Sequence, residues 1–111
     1  MYNPIIAQQA TRTITLGQLQ YDASSQCLSD GQETIYLRNK LNEVLFHMVA
    51  NNHRVVSREE LIEKVWQGNH YTGVKGVTHS VCKLRKTFQE LGADNIHIHT
   101  FPKQGYALSV D

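Results

Sequence analysis

Between residues 75 and 91 the chain reads KGVTHSVCKLRKTFQEL, and its side chains sort into two kinds. Val77, Val81, Leu84, Phe88 and Leu91 recur at steps of four, three, four and three, the rhythm of a helix with one buried stripe. At roughly 100° per residue the opposite side carries Lys75, His79, Cys82 and Lys86, flanked by Thr78, Lys83 and Gln89, with Arg85 at the border. Short donors and cations on an anchored helix suit a polyanion. In the major groove of DNA the donors would meet base edges and the lysines phosphates. A solvated surface helix is the plain alternative. The surrounding chain decides between the two.

Other chemistries find less support. The chain has six histidines, of which His97 and His99 share one strand face and could be joined by Cys82 or His79. No Cys-x-x-Cys or His-x3-His spacing accompanies them, and zinc needs three or four ligands in fixed geometry. They read instead as solvent-facing side chains that would make anion affinity mildly dependent on pH. There is no glycine-rich phosphate loop and no nucleophile motif, and Ser57 is explained as a helix cap. Neither an enzyme nor a metal or other cofactor is expected. Cys82 reads as a small, uncharged groove contact in preference to a redox sensor. Cys27 and Cys82 lie too far apart in sequence to suggest a disulfide framework, so a reduced, cytoplasmic compartment is the expectation.

Length and composition bound the rest. At 111 residues, 41% hydrophobic and 19% charged, the chain is one domain able to bury a core without staples. The longest apolar run, residues 44–50, is interrupted by His47 and too short for a bilayer. The N-terminus has no signal-peptide pattern. The net charge of +1 conceals an asymmetry: residues 71–89 hold four cations and no acid. A basic stripe on a near-neutral body favours a polyanion docking at one place, not coating of DNA at any sequence.

The elements that must position this stripe follow from patterning. Residues 1–12 lack periodicity and read as a flexible N-terminal arm, with the domain proper at 13–111. Ile14, Leu16, Leu19 and Tyr21, then Leu28 and Ile35, alternate between turns at 22–25 and 29–32, which gives a small antiparallel sheet. Asn39 is expected to cap a first helix with Leu41, Val44, Leu45, Met48 and Val49 inward. Ser57 and Glu60 form a capping box for a second, which buries Leu61, Ile62, Val65 and Trp66 and is stopped by Gly68. A loop is expected from Gly68 to Gly73, and the basic helix from Val74 or Lys75, with Gly76 weakening its first turn. Ile96, Ile98 and Thr100 then pair across a turn at 101–105 with Tyr106, Leu108 and Val110. Sheet, three helices and a basic-tipped hairpin describe an α+β winged helix-turn-helix.

In three segments, VVSREELIEKVW (55–66), VTHSVCKLRKTF (77–88) and TFPKQGYAL (100–108), the chain resembles the effector domain of OmpR/PhoB-type transcriptional regulators. The likeness covers about residues 12–110. The Pro-Lys-x-Gly-Tyr wing and the lack of a preceding receiver domain are more similar to the ToxR/CadC type, whose DNA-binding domain lies N-terminal to a membrane helix. On that resemblance the chain is expected to be a truncation in preference to a stand-alone domain, cytoplasmic or at the cytoplasmic face of the inner membrane, with any membrane contact through a segment absent here. The resemblance implies promoter double-stranded DNA as partner, with the helix at 75–91 in the major groove and the wing at 96–110 on the backbone or minor groove. It places Lys75, Thr78, His79, Cys82 and Lys83 in the groove, Arg85 and Lys86 on the DNA backbone, and Thr100, Lys103 and Tyr106 in the wing. It further implies RNA polymerase as a partner of the loop at 68–73. A homodimer on tandem or inverted half-sites is expected because one small domain buries little surface on DNA. His79 and Cys82 stand where arginine or glutamine is common, which points to partly shape-based readout. The alternative is a winged helix that has become a protein-interaction module.

Overall fold

The computed structural model describes residues 5–8 and 13–111. Strands β1 (Ile5–Gln8), β2 (Thr13–Leu16), β3 (Leu19–Asp22), β4 (Cys27–Ser29) and β5 (Thr34–Tyr36) form an antiparallel meander in chain order. Its period of two buries Leu16, Leu19, Tyr21 and Leu28 completely and leaves Gln20 in water, as one-sided burial requires. The Tyr21 hydroxyl lies 2.6 Å from the side-chain oxygen of Asn42 and 3.0 Å from its carbonyl, tying the sheet to the first helix. Burial pushes that phenol well above its ordinary pKa, so it stays a neutral donor. Strand β1 falls inside the stretch read as an arm. Its backbone pairs with β2 from Ile5↔Leu16 to Gln8↔Thr13, which gives β2 a partner along its outer edge. The remainder of 1–12 lies outside the described residues.

Helices α1 (Asn39–Ala50), α2 (Arg58–Trp66) and α3 (His70–Glu90) follow. In α1 the expected stripe is buried, with Leu41 half-buried at its start. Asn39 is not its cap. Arg38 holds that position without a side-chain bond, and Asn39 instead accepts from Gln26 Nε2 at 2.7 Å, stitching the helix to the sheet. In α2 the Ser57 hydroxyl accepts from the Glu60 amide at 3.0 Å as expected. The other half of the capping box is absent, because the Glu60 carboxylate turns to Arg54 and His47.

The largest departure is at α3, which starts at His70, five residues before Lys75. Asn69 caps it, its side-chain oxygen accepting from the amides of Tyr71 (3.0 Å) and Thr72 (3.4 Å). The loop expected at 68–73 is therefore only residues 67–69. Gly73 and Gly76, which argued against a helix, are there for packing. A Cβ on Gly73 would sit 2.8 Å from Ile62 Cγ2, and one on Gly76 2.3 Å from Trp66 Cζ2. Helix propensity costs about 1 kcal/mol per glycine; close apposition of α2 and α3 outweighs it.

Strands β6 (Ile96–Phe101) and β7 (Gly105–Val110) form the hairpin, with Ile96, Ile98, Tyr106 and Leu108 buried. Near its turn it is bonded to the chain between α1 and α2: Val56 N donates to the Tyr106 carbonyl at 2.7 Å and Tyr106 N to the Val56 carbonyl at 2.9 Å. That approach requires glycine at 105, whose φ is +144° and whose Cβ, if present, would lie 2.1 Å from Val56 O.

Candidate nucleic-acid interface

Two rows of side chains leave the exposed side of α3. Lys75, His79, Lys83 and Lys86, each three or four residues from the next, form one, and all four are exposed. Tyr71, Val74, Thr78 and Cys82 form the second, also exposed. Between residues 70 and 89 there is no acid. Among the described residues Lys75, Lys83, Lys86 and Lys103 make no ion pair. Their charge is therefore available to a partner.

Arg85 differs from the expectation. Its Nε donates to the Ile98 carbonyl at 3.0 Å, and its Nη2 to the same carbonyl and, at 2.8 Å, to the Thr100 hydroxyl. It joins α3 to the wing, because a forked, planar donor at the helix border matches a strand carbonyl and a hydroxyl two residues apart. Thr100, exposed and accepting from Arg85, keeps its own O–H to donate outward.

Tyr106, which could anchor the wing or offer its hydroxyl to phosphate, packs as an anchor. Only 6% exposed, it packs in the core, and its hydroxyl lies 3.4 Å from Arg58 Nη2 at the start of α2. Of the wing residues expected to meet a partner, Lys103 stands at the tip, exposed, with φ 64°. A cleft runs from there to α2, lined by Ser57, Arg58, Glu59, Thr100, Phe101, Lys103 and Tyr106 among others. Arg58 thus adds a cation, and Glu59 an acid, to the cleft that Lys103 lines. The place of Arg58 in the capping box gave no hint of this, since it and Lys103 meet only through the fold. Tyr71 was not placed on this face for another reason: the expected helix began after it, with Val74 at its expected start.

His47, His70, His97 and His99 have local partners. His97 Nε2 lies 2.9 Å from the Asp111 carboxylate, and His99 Nε2 2.8 Å from the Ser109 hydroxyl. His70, at the first turn of α3, pairs with Glu59 of α2, and that carboxylate holds its imidazole pKa above the ordinary value. Glu60 is held down to about 2 by its bond to Arg54, with His47 adding to the effect. Among the described residues no three His, Cys, Asp or Glu side chains come together as a metal site would need. Cys27 and Cys82 are free thiols. No helix there is long and apolar enough to cross a membrane.

A meander, three helices with a cation-bearing third, and a hairpin locked beside it define a winged helix-turn-helix domain. Residues 31–108 match the family model described as transcriptional regulatory protein, C terminal, and the chain belongs to that family. It is 31% identical to the transcriptional activator CadC of Escherichia coli (strain K12) over 98 residues, 87% of this chain and 19% of that protein. It is 28% identical to the response regulator protein GraR of Staphylococcus aureus (strain MRSA252) over 95 residues, 86% of this chain and 42% of that one. The chain thus spans less than half the length of these relatives. Among solved structures it is similar to the DNA-binding domain of E. coli CadC, with 29% identity, a TM-score of 0.73, and coverage of 85% of this chain and 88% of that one. The Klebsiella pneumoniae RstA DNA-binding domain in complex with the RstA box shares the fold, with a TM-score of 0.71 at 22% identity over 88% of this chain and 97% of that one.

Proposed function

We propose that this domain binds double-stranded promoter DNA to regulate transcription, with α3 in the major groove and the wing on the backbone or in the adjacent minor groove. The observation that carries this reading is the acid-free face of α3, whose lysines lack ion pairs among the described residues. Lys75, Thr78, His79, Cys82 and Lys83 face the groove; Lys86, Thr100 and Lys103 meet phosphates, joined by Arg58. Arg85 and Tyr106 act from behind, by holding the wing. Two copies bind neighbouring half-sites, because one small domain covers little DNA. RNA polymerase meets the short corner at residues 67–69. In the intact protein the domain works in the cytoplasm, and any membrane anchor raises its effective concentration on DNA.

Fluorescence anisotropy with a mixed-sequence duplex, at several salt concentrations, tests this. The wild type is expected to bind with a steep salt dependence, and Lys83→Ala/Lys86→Ala to flatten the slope by about one unit per lost contact. Binding that ignores salt, or that the double variant keeps unchanged, would favour a protein-interaction module instead.

A further inference from the structure

The row Tyr71, Val74, Thr78, Cys82 differs in chemistry from the lysine row beside it. Tyr71 is 93% exposed and Val74 40%, and they stand one helical turn apart on the same face. Thr78 donates its hydroxyl proton back to the Val74 carbonyl, at 3.4 Å, and so has little donor capacity left for a partner. What the row offers outward is a phenol ring, valine methyls, a threonine methyl and a thiol. Three residues beyond Cys82 the same line reaches Arg85, which grips the wing at Ile98 and Thr100. The row therefore faces the angle between α3 and the wing, and the lysines flank it on the outside.

We infer that this row reads the C5-methyl groups of thymine, so that the domain selects A·T pairs by apolar contact where the first turns of α3 enter the groove. This rests on the DNA-binding reading above and gives it a chemical specificity. The thymine methyl is the one apolar group on the major-groove edge of the four bases, and small aliphatic side chains meet it. DNA is favoured over a protein partner because the row is continuous with the unpaired lysines and no acid interrupts the face.

The test uses duplexes selected by this chain from a random pool, resynthesised with deoxyuridine in place of single thymines, which removes only the methyl. At one or more positions the wild type is expected to bind about fourfold more weakly, the factor carried by burial of one methyl. Tyr71→Ala or Val74→Ala should shrink that penalty, and Lys86→Ala should leave it intact while weakening both duplexes alike. No uridine penalty at any position overturns the inference, as does a penalty undiminished in both Tyr71→Ala and Val74→Ala. Unchanged affinity of the Tyr71→Ala/Val74→Ala double variant overturns it too, and makes the row a docking surface for a protein. Failure of the wild type to enrich any duplex would sink the DNA-binding reading itself.

Discussion

The guanidinium of Arg85 on α3 donates to the hydroxyl of Thr100 on the wing across 2.8 Å, and in the same fork to the carbonyl of Ile98. Helix and wing therefore move as one surface, and Arg85 acts on a ligand through that surface. Arg85→Ala should cost about 1–2 kcal/mol of stability and speed amide exchange along 96–110. Arg85→Lys should do nearly the same, since an ammonium cannot fork. DNA affinity should fall with the salt slope little changed. A slope flattened by about one unit would instead make Arg85 a phosphate contact, the role its place in the Leu-Arg-Lys motif suggested.

Gly105 should tolerate no side chain. Its φ of +144° and the 2.1 Å that would separate a Cβ from the Val56 carbonyl mean that Gly105→Ala must break the bridge that ties the wing to Val56. A loss of at least about 2 kcal/mol is expected, read from chemical denaturation. An alanine variant as stable as the wild type would show that the bridge is not formed in solution.

Much of this fold was legible because it is local. The alternation at Ile14, Leu16, Leu19 and Tyr21, the Ser57 cap, and the hairpin from Ile96 to Val110 each depend on neighbours a few residues away. The start of α3 was not, because Gly73 and Gly76 oppose a helix locally and only Ile62 and Trp66, brought up by α2, explain them. That the lysines of α3 are exposed on one side could be found by period and charge alone. Arg85 and Tyr106 were placed on the right elements without their bonds inside the domain, since Ile98 and Arg58 reach them only through the tertiary fold.

The Glu60 carboxylate, 2.7 Å from Arg54 Nη2 and beside His47, braces the start of α2. Its folded-state pKa of about 2 lies below the ordinary 4.5. The depressed value means stability that is fully present above about pH 4.5 and lost as pH falls toward 2. Glu60→Gln should lower stability at neutral pH and remove part of the acid-side decline in the thermal midpoint between those limits. An unchanged acid limb would show that the pair does not form.

His70 and Glu59 join the starts of α3 and α2, and the pKa of the imidazole is raised above 6.5. A raised value has the opposite sign: the tie is fully present below about pH 6.5 and fades as pH rises through the folded-state value. Both groups are well exposed, so the effect on stability should be small. It should be plain in the NMR titration of the His70 ring, which should midpoint above 6.5 in the wild type and return toward it in Glu59→Gln. Identical midpoints would remove the pair.

The most direct test of one DNA-facing surface is to follow backbone amide shifts while titrating a promoter-length duplex into labelled protein. Perturbations should concentrate on α3 from its first turn at His70 through Lys86, on the wing tip around Lys103, and on Arg58. The solvent face of β3 to β5 should stay silent. Shifts confined to that sheet, or spread evenly over the domain, would contradict a surface built from α3 and the wing.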